Sequence, residues 1–482
     1  MAGTAGNNNN SVSGLLKRWY RDGGVVLTTF RDRPYWTMIT KKADSSETEG
    51  SSFQFAIMPN DIQARNTVFA GAQSMARGLS AYNTSALTGT QAGAPMVGNI
   101  GVTQFTVPRV MNYAYANIST ELNLSARTKR GAFDNAVTRI TDSALNVLGN
   151  DQEISLFGGS ITSTGISTSS SGFLSTIGAA TSVSSSSGVL TLAYVFDSNK
   201  FSYGQELDLY YNNSGVITKR TNIAGNGLFV GTVDRTYGTL TIVNSAGTPV
   251  AINSVFSNAA VGDFICVSND FNQGAATGTQ GTGKILGFES WVPFGGPVAD
   301  SPSNLFCGVN RNVGDVNRLS GNWLDATGGI GPTAGTTLNI EDTLIAMTQQ
   351  VAMLSSKNLD TVAGNFNQYT KLLKSNMSRV TLPDGEYQTS IPGISFKGIQ
   401  IETATGPAKF LPDRFVGTNR LYGLYMPSWF YIHLGDPVEL YTLDGRDVLR
   451  EADLDATAYR FFALGNTVCD EPNANITANI AP

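Results

Sequence analysis

Two runs of small polar residues constrain this chain more than any other feature. Residues 160–187 are dominated by Ser, Thr and Gly, and 273–283 (QGAATGTQGTG) repeat that composition. Such stretches carry too little apolar surface to build a core, so they read as linkers. Between them lie short segments rich in β-branched and aromatic residues, at 189–193, 206–211, 228–234, 239–243 and 263–267. NNSG at 212–215 and Tyr237-Gly238 supply turns. This spacing predicts a small β barrel or sandwich over 176–283. Its bracketing linkers predict a module inserted into a host fold that resumes on the far side.

The host begins with an alternating segment, 53–59 (FQFAIMP), and a second alternating run within 105–124. Tyr113, Tyr115, Ile118, Leu122 and Leu124 are its candidate anchors. Between the two, residues 71–101 are Gly/Ala/Ser/Thr/Gln-rich with weak apolar periodicity. Two extended arms around a glycine-rich tip predict a long protruding loop over 52–127. In a lone monomer such a loop is a liability; against neighbouring copies it becomes a clamp. A long helix is expected over 128–157, where Phe133, Val137, Ile140, Ala144, Val147 and Leu148 recur at spacings of three and four. At about 1.5 Å per residue it would run roughly 40 Å, a strut, and Gly158-Gly159 end it.

After the module, NIEDTLIAMTQQVAML from Asn339 is a second amphipathic helix. Asn339 suits its N-cap, and Glu341 and Asp342 suit the positive end of its dipole. Ile340, Leu344, Met347, Val351 and Leu354 form its apolar face. A shorter helix is expected over 365–374, then strands over 396–403, 420–426, 429–434 and 438–443, the last turning at Asp444-Gly445. The fold class is α+β. The expected divisions are 1–51 as an N-terminal arm, 52–127 as the extended loop, 128–175 around the long helix, 176–283 as the β module and 284–482 as the remaining host.

Charge is scarce. Asp, Glu, Lys and Arg make up 14% of the residues, against roughly 25% in an ordinary soluble domain. A charge-poor surface suits a chain that covers itself with copies, its Asn, Ser, Thr and Gly making neutral interface hydrogen bonds. A Gly/Ser/Thr-rich secreted β protein would share this composition. A net charge of −5 argues against gripping nucleic acid over the whole surface. The exception is 15–42, where seven basic residues face two acidic ones among Trp19, Tyr20, Tyr35 and Trp36. That pattern can bind nucleic acid; the favoured reading is a packed, snorkelling arm on a neighbouring surface. Residues 1–13 are polar and Asn-rich and read as mobile. MAGTAGNNNN offers no apolar segment of a signal peptide, and 421–434 is too short to span a bilayer and contains a proline, so no membrane role is expected.

Chemistry finds no foothold in the sequence. The single histidine, His433, sits among Tyr431, Ile432 and Leu434, where a packed histidine is the simpler reading than a catalytic one. Cys266, Cys307 and Cys469 are widely spaced and odd in number, which reads as buried hydrophobes in a reducing compartment. No Walker A, GxGxxG, HExxH or CxxC pattern occurs. The acidic segment 443–455 (LDGRDVLREADLD) lacks the ligand spacing of a calcium loop and reads as a solvated hairpin, and Asp384-Gly385 as an ordinary turn. The expectation is a protein that is not an enzyme, with no catalytic, cofactor-binding or metal-binding residues and no cofactor.

The order of parts resembles that of tailed-bacteriophage major capsid proteins of the Hong Kong 97 type. The segments that carry the resemblance are FDNAVTRITDSALNVLGNDQEISLFGG, the ending YRFFALGNTVCDEPNANITANIAP, and GQELDLYYNNSGVITKRTNIAGNGLFVGTVDRTYGTLTI followed by VGDFICV. The resemblance implies an N-arm over 15–42, an extended loop over 52–109, a spine helix over 128–157, an axial domain near 339–395 and a return strand within 397–482. The β module would match the insertion domains that some members carry. The implied function is self-assembly into pentamers and hexamers of an icosahedral head around double-stranded DNA, built in the host bacterial cytoplasm. Implied partners are other copies of the chain, with scaffold, portal and cement or decoration proteins. Two alternatives stay open: the shell protein of a prokaryotic nanocompartment, and a phage tail or receptor-binding adhesin. In the family's type member a loop lysine forms isopeptide bonds with a neighbouring asparagine. Here no lysine occurs from Ala43 to Thr128, so a non-covalent shell is expected.

Overall fold

The computed structural model describes residues 32–42, 52–60, 67, 101–119, 121, 136–158, 173–213, 216–223, 227–270, 284–297, 300, 305–312, 315–329, 335–377, 399–403, 406–442, 449–450 and 456–481. The chain is α+β. Among the described residues it forms three multi-stranded sheets and one two-stranded ribbon.

The first sheet is built on the longest strand, Ala456–Cys469. Val110–Ser119 pairs along its N-terminal part, antiparallel, from Ala456↔Ser119 to Gly465↔Val110. Trp429–His433 pairs with its C-terminal part, and Thr40–Lys42 adds a parallel strand beyond. Val110–Ser119 alternates strictly between buried and exposed positions, the pattern of a strand with one covered face. The cover is the helix Ala136–Leu156. Ala144 and Leu148 pack on Ala114, Ala116, Phe461 and Ala463, and these small residues let the helix sit close to the sheet. The last helical turns end as expected: Gly158 N–H reaches Ser155 O at 3.2 Å.

The apolar face is rotated from the one the spacing predicts. Val147 is 60% exposed, whereas the polar Asn146, Gln152 and Glu153 are buried with Ala144 and Leu148, and Ile140 is only partly buried. Asn146 accepts from Arg33 and Glu153 from Tyr35 and Trp36 N–H, partners that hydropathy spacing cannot register. Phe133 and the side chain of Val137 lie outside the described residues.

The second sheet runs Asn322–Asp325, Ile476–Asn479, Arg420–Leu424, Thr361–Gly364, Gly406–Pro412, Ile399–Thr403. Its middle strands are buried at every position, because the helices Ile340–Leu354 and Phe366–Met377 and the aromatic core cover both faces. Asn339 caps the first of these helices, its Oδ1 accepting from Asp342 N–H at 2.8 Å. Leu354, placed on the buried face by its spacing, is instead 43% exposed at the helix end.

The third sheet is antiparallel: Phe173–Thr176, Phe264–Val267, Glu206–Asn213, Leu228–Asp234, Thr239–Val243, Val189–Thr191, with Val216–Lys219 against Glu206–Asn213. A bridge between Ile177 and Leu192 joins the two ends of this path and closes it into a barrel. The interior is its own apolar cluster, including Leu190, Phe201, Leu209, Val230, Leu240, Ile242, Phe256 and Ile265. Gly238 holds φ +64° at the turn expected there, a conformation costly for side chains with a Cβ.

The first compositional linker needs correction. The first run, read as 160–187, contains a wholly buried strand at Phe173–Thr176 and a helical turn at Ala180–Val183, so Leu174, Ile177 and Val183 belong to the barrel core. The expected boundary at 176 therefore falls at the end of a strand that pairs with Phe264–Val267. Two apolar residues, Phe173 and Leu174, are enough for a strand in a Ser/Thr-rich background when the sheet supplies the partners. At the second run, Lys284 N–H donates to Asp270 O at 2.9 Å, so the chain leaves and returns at one place. Residues 160–172 and 271–283 themselves lie outside the described residues, as do 1–31, 71–100, 384–385 and 443–448.

Candidate assembly surface

Ser52–Asn60 and Gly101–Pro108 form an antiparallel ribbon, in register from Ser52↔Pro108 to Ile57↔Thr103. Its two faces differ sharply. Phe53, Phe55, Ile57, Phe105 and Val107 point into the main core. Phe55 and Phe105 are nearly parallel with centroids 5.4 Å apart, and both lie on Trp291, at 6.0 and 5.6 Å. Trp291 meets Phe306 edge-on at 5.0 Å and donates its indole N–H to Thr467 O at 3.1 Å.

Arg311 fixes that aromatic shelf from behind. Its guanidinium is fully buried, pairs with Asp300 at 2.8 Å, donates to Ser290 O and Trp291 O at 3.1 and 3.0 Å, and lies 3.7 Å from the Phe306 ring. Backbone contacts complete the root: Thr106 N–H donates to Cys307 O at 2.8 Å, and Arg318 donates to Pro59 O. The base of the ribbon is therefore clamped, and it cannot swing without opening the core. The opposite face carries Gln54, Gln104, Met58 and Val102, the last two exposed. Gln104 Nε2 donates to Gln54 Oε1 at 2.9 Å across it.

Beside the ribbon, the uncovered face of the first sheet presents Met111, Tyr113 and Tyr115, which are 43%, 58% and 52% exposed. Tyr113 lies 6.5 Å from Phe462 on the paired strand, and Tyr441 packs edge-on to Phe462 at 5.7 Å. Alternation places these rings on the face away from the helix, where Tyr113 and Tyr115 stay about half exposed. Of the anchors expected from the alternating run, Ile118 is buried and Tyr113 and Tyr115 are not; Leu122 and Leu124 lie outside the described residues.

The described part of the arm is 32–42. Tyr35 and Trp36 enter the main core, Lys41 lies 4.9 Å from the Trp36 ring, and Lys42 lies 3.9 Å from Phe430. Over this stretch the aromatic and basic residues thus pack on the chain's own body, a correction to the expectation of a neighbouring surface.

The groups capable of chemistry are sequestered. His433 is buried, stacks on Tyr431 and places Nδ1 2.8 Å from Gly435 O. All three cysteines are unpaired and buried, and burial pushes the Cys307 thiol up to about 12 and Cys266 and Cys469 well above the usual thiol range. Thiolate chemistry is thereby suppressed. Two buried charge pairs are matched internally: Glu289 lies 3.3 Å from Arg420 and accepts from Tyr422 at 3.0 Å, and Lys200 pairs with Asp197 at 3.0 Å. Among the described residues no group of three or more His, Cys, Asp or Glu could hold a metal ion, and no helix is long and apolar enough to cross a membrane.

No protein-family model matches the chain, and no curated protein matches it. The chain is similar to solved capsid and phage chains at low identity. One is the capsid asymmetric unit of cyanophage A-1(L), at 10% identity and TM-score 0.47, covering 98% of this chain and 98% of that one. Another is Mycobacterium phage Adephagia, at 9% and 0.40, covering 98% and 96%. A third is the capsid of an empty GTA particle, at 8% and 0.38, covering 98% and 97%. At this distance the chain's own architecture has to carry the function.

Proposed function

We propose that the chain is the major capsid protein of a tailed bacteriophage, a Hong Kong 97-like subunit that assembles into pentamers and hexamers of a closed head around double-stranded DNA. The observation that carries this reading is the rooted ribbon. Its base is locked into the core by Phe55, Phe105 and Trp291, and the sequence joining its two strands between Asn60 and Gly101 is long, polar and glycine-rich. A rigid base carrying a long connecting sequence suits one subunit holding another. The exposed aromatic strand beside it offers a surface for such contacts.

In this reading the long helix and the first sheet form the peripheral domain, and the second sheet with its two helices forms the axial domain. The closed barrel over 173–267 is the inserted domain. Scaffold, portal and decoration proteins would be the partners, and the subunit would have no enzymatic role. The charge-poor composition supports extensive burial between copies.

Sedimentation and negative-stain imaging of the expressed protein test this. Capsomers or hollow closed shells are expected, alone or with a co-expressed scaffold. A species of only 51.1 kDa at micromolar concentration, under both conditions, would overturn it.

A further inference from the structure

The barrel joins the rest of the chain beside the end of the long helix. Its strand Phe264–Val267 leads out to Asp270, and the described chain resumes at Lys284. Ile154 and Gly158 from the helix end and Phe173 and Leu174 from the barrel line one small cleft, together with Asp151, Asp270 and Lys284. Ile154 packs on both the main core and the barrel core, so the last helical turns form the floor on which the barrel sits. Just beyond, Gly287 passes so close to the helix end that a Cβ there would lie 2.6 Å from Ser155 O and 2.7 Å from Leu156 O.

One ammonium group ties these pieces together. Lys284 Nζ donates to Asp151 Oδ2 on the helix and lies 3.1 Å from Asp270 Oδ2 at the barrel exit. Lys284 N–H also donates to Asp270 O at 2.9 Å, so backbone and side chain hold the same partner. The side chains of Lys284, Asp151 and Asp270 are 14%, 27% and 23% exposed, too sheltered for salt to screen them fully. Burial opposes the charge on Lys284, but Asp151 and Asp270 outweigh it and hold the ammonium above the usual lysine range. The two carboxylates repel one another, and the lysine offsets that repulsion.

We propose that Lys284 is a clamp that fixes the orientation of the barrel, binding the barrel exit at Asp270 to the long helix at Asp151. The Ser/Thr/Gly-rich composition of 160–172 and 271–283 gives, by itself, a module free to pivot on two tethers. The clamp removes that freedom, and the barrel becomes a fixed projection of the helix that presents its outer surface in one direction. Without the cation, two unpaired carboxylates face each other across the junction. The barrel then pivots without unfolding, because its core is its own. The clamp acts within one subunit and does not depend on the assembly reading.

Nitroxide labels on Val147→Cys and Tyr237→Cys read the orientation on the full chain by pulsed electron paramagnetic resonance. Both positions are exposed, one on the helix and one on the barrel, while Cys266, Cys307 and Cys469 are buried away from the label. Dilution in unlabelled chain restricts the measurement to pairs within one subunit. The distance distribution should be narrow with the clamp intact. Lys284→Met should broaden it while the thermal transition of the barrel stays in place, and Lys284→Arg, which keeps the charge, should leave it narrow. Asp151→Asn cuts only the helix side, at a partly exposed residue; it should also broaden the distribution, and it carries the test if Lys284→Met does not fold. A broad distribution with the clamp intact would overturn the proposal whatever the variants do. So would an unbroadened distribution in either folded variant, or equal broadening in Lys284→Arg. Broadening seen only with loss of the barrel's thermal transition would also overturn it, making Lys284 a stabilising residue and not a clamp.

Discussion

Phe55 and Phe105 stack across the ribbon with centroids 5.4 Å apart and planes 14° from parallel, and Phe105 is fully buried. Through this pair a protruding element becomes part of the core. Phe105→Ala should cost about 3–5 kcal/mol of subunit stability, measured as a shift in the denaturant midpoint with unchanged slope. A shift corresponding to less than about 1 kcal/mol would show that the ribbon is not rooted there.

The neighbouring strand should behave in the opposite way. Tyr113 and Tyr115 are mostly exposed, so the double change to Ser should alter subunit stability by no more than about 0.5 kcal/mol per site. Assembly should nevertheless fail or slow, as followed by light scattering. Normal assembly kinetics would remove this face from the contact surface.

Two adjacent helix positions separate the rotated face from the spacing-based one. Leu148→Asp buries an unpaired carboxylate and should abolish folded subunits, a cost of several kcal/mol. Val147→Asp should leave the circular dichroism spectrum and thermal midpoint nearly unchanged, since that side chain is 60% exposed. Ile140→Asp, at a partly buried site, should fall between them.

Barrel removal depends on where the cut is made. Replacing 173–270 with a short Gly/Ser loop should leave the two other sheets folded, because the barrel has its own core. A cut at 176 would strand Phe173 and Leu174, which are buried against the barrel, and should yield a less soluble protein. Limited proteolysis and circular dichroism of the two deletions check the difference.

Assembled particles boiled in denaturing detergent should release one band near 51.1 kDa. The absence of lysine from Ala43 to Thr128 leaves the extended loop without an amine nucleophile. A ladder resistant to reducing agent would contradict this.

Local pattern was sufficient where one element meets one environment. The strands at 189–191, 206–213, 228–234, 239–243 and 264–267, the Asn339-capped helix and the alternating 110–119 could all be read from neighbouring residues. Alternation and capping are properties of adjacent positions, so the sequence alone determined these elements, the α+β class and the scarcity of reactive side chains. Tertiary structure decided the rest. The strand Ala456–Cys469 was not recognised as the centre of the first sheet, because being buried from both sides erases alternation in its second half. Thr361–Gly364 and Ile476–Asn479, buried at every position, are illegible in the sequence for the same reason. The Ser/Thr-rich background hid Phe173–Thr176, whose burial depends on partners some 90 residues away at Phe264–Val267. The rotated helix face has a related cause: Glu153 is buried where the Tyr35 and Trp36 N–H groups meet it. A polar residue is buried when distant backbone N–H groups come to meet it, and nothing in its local sequence records that arrival.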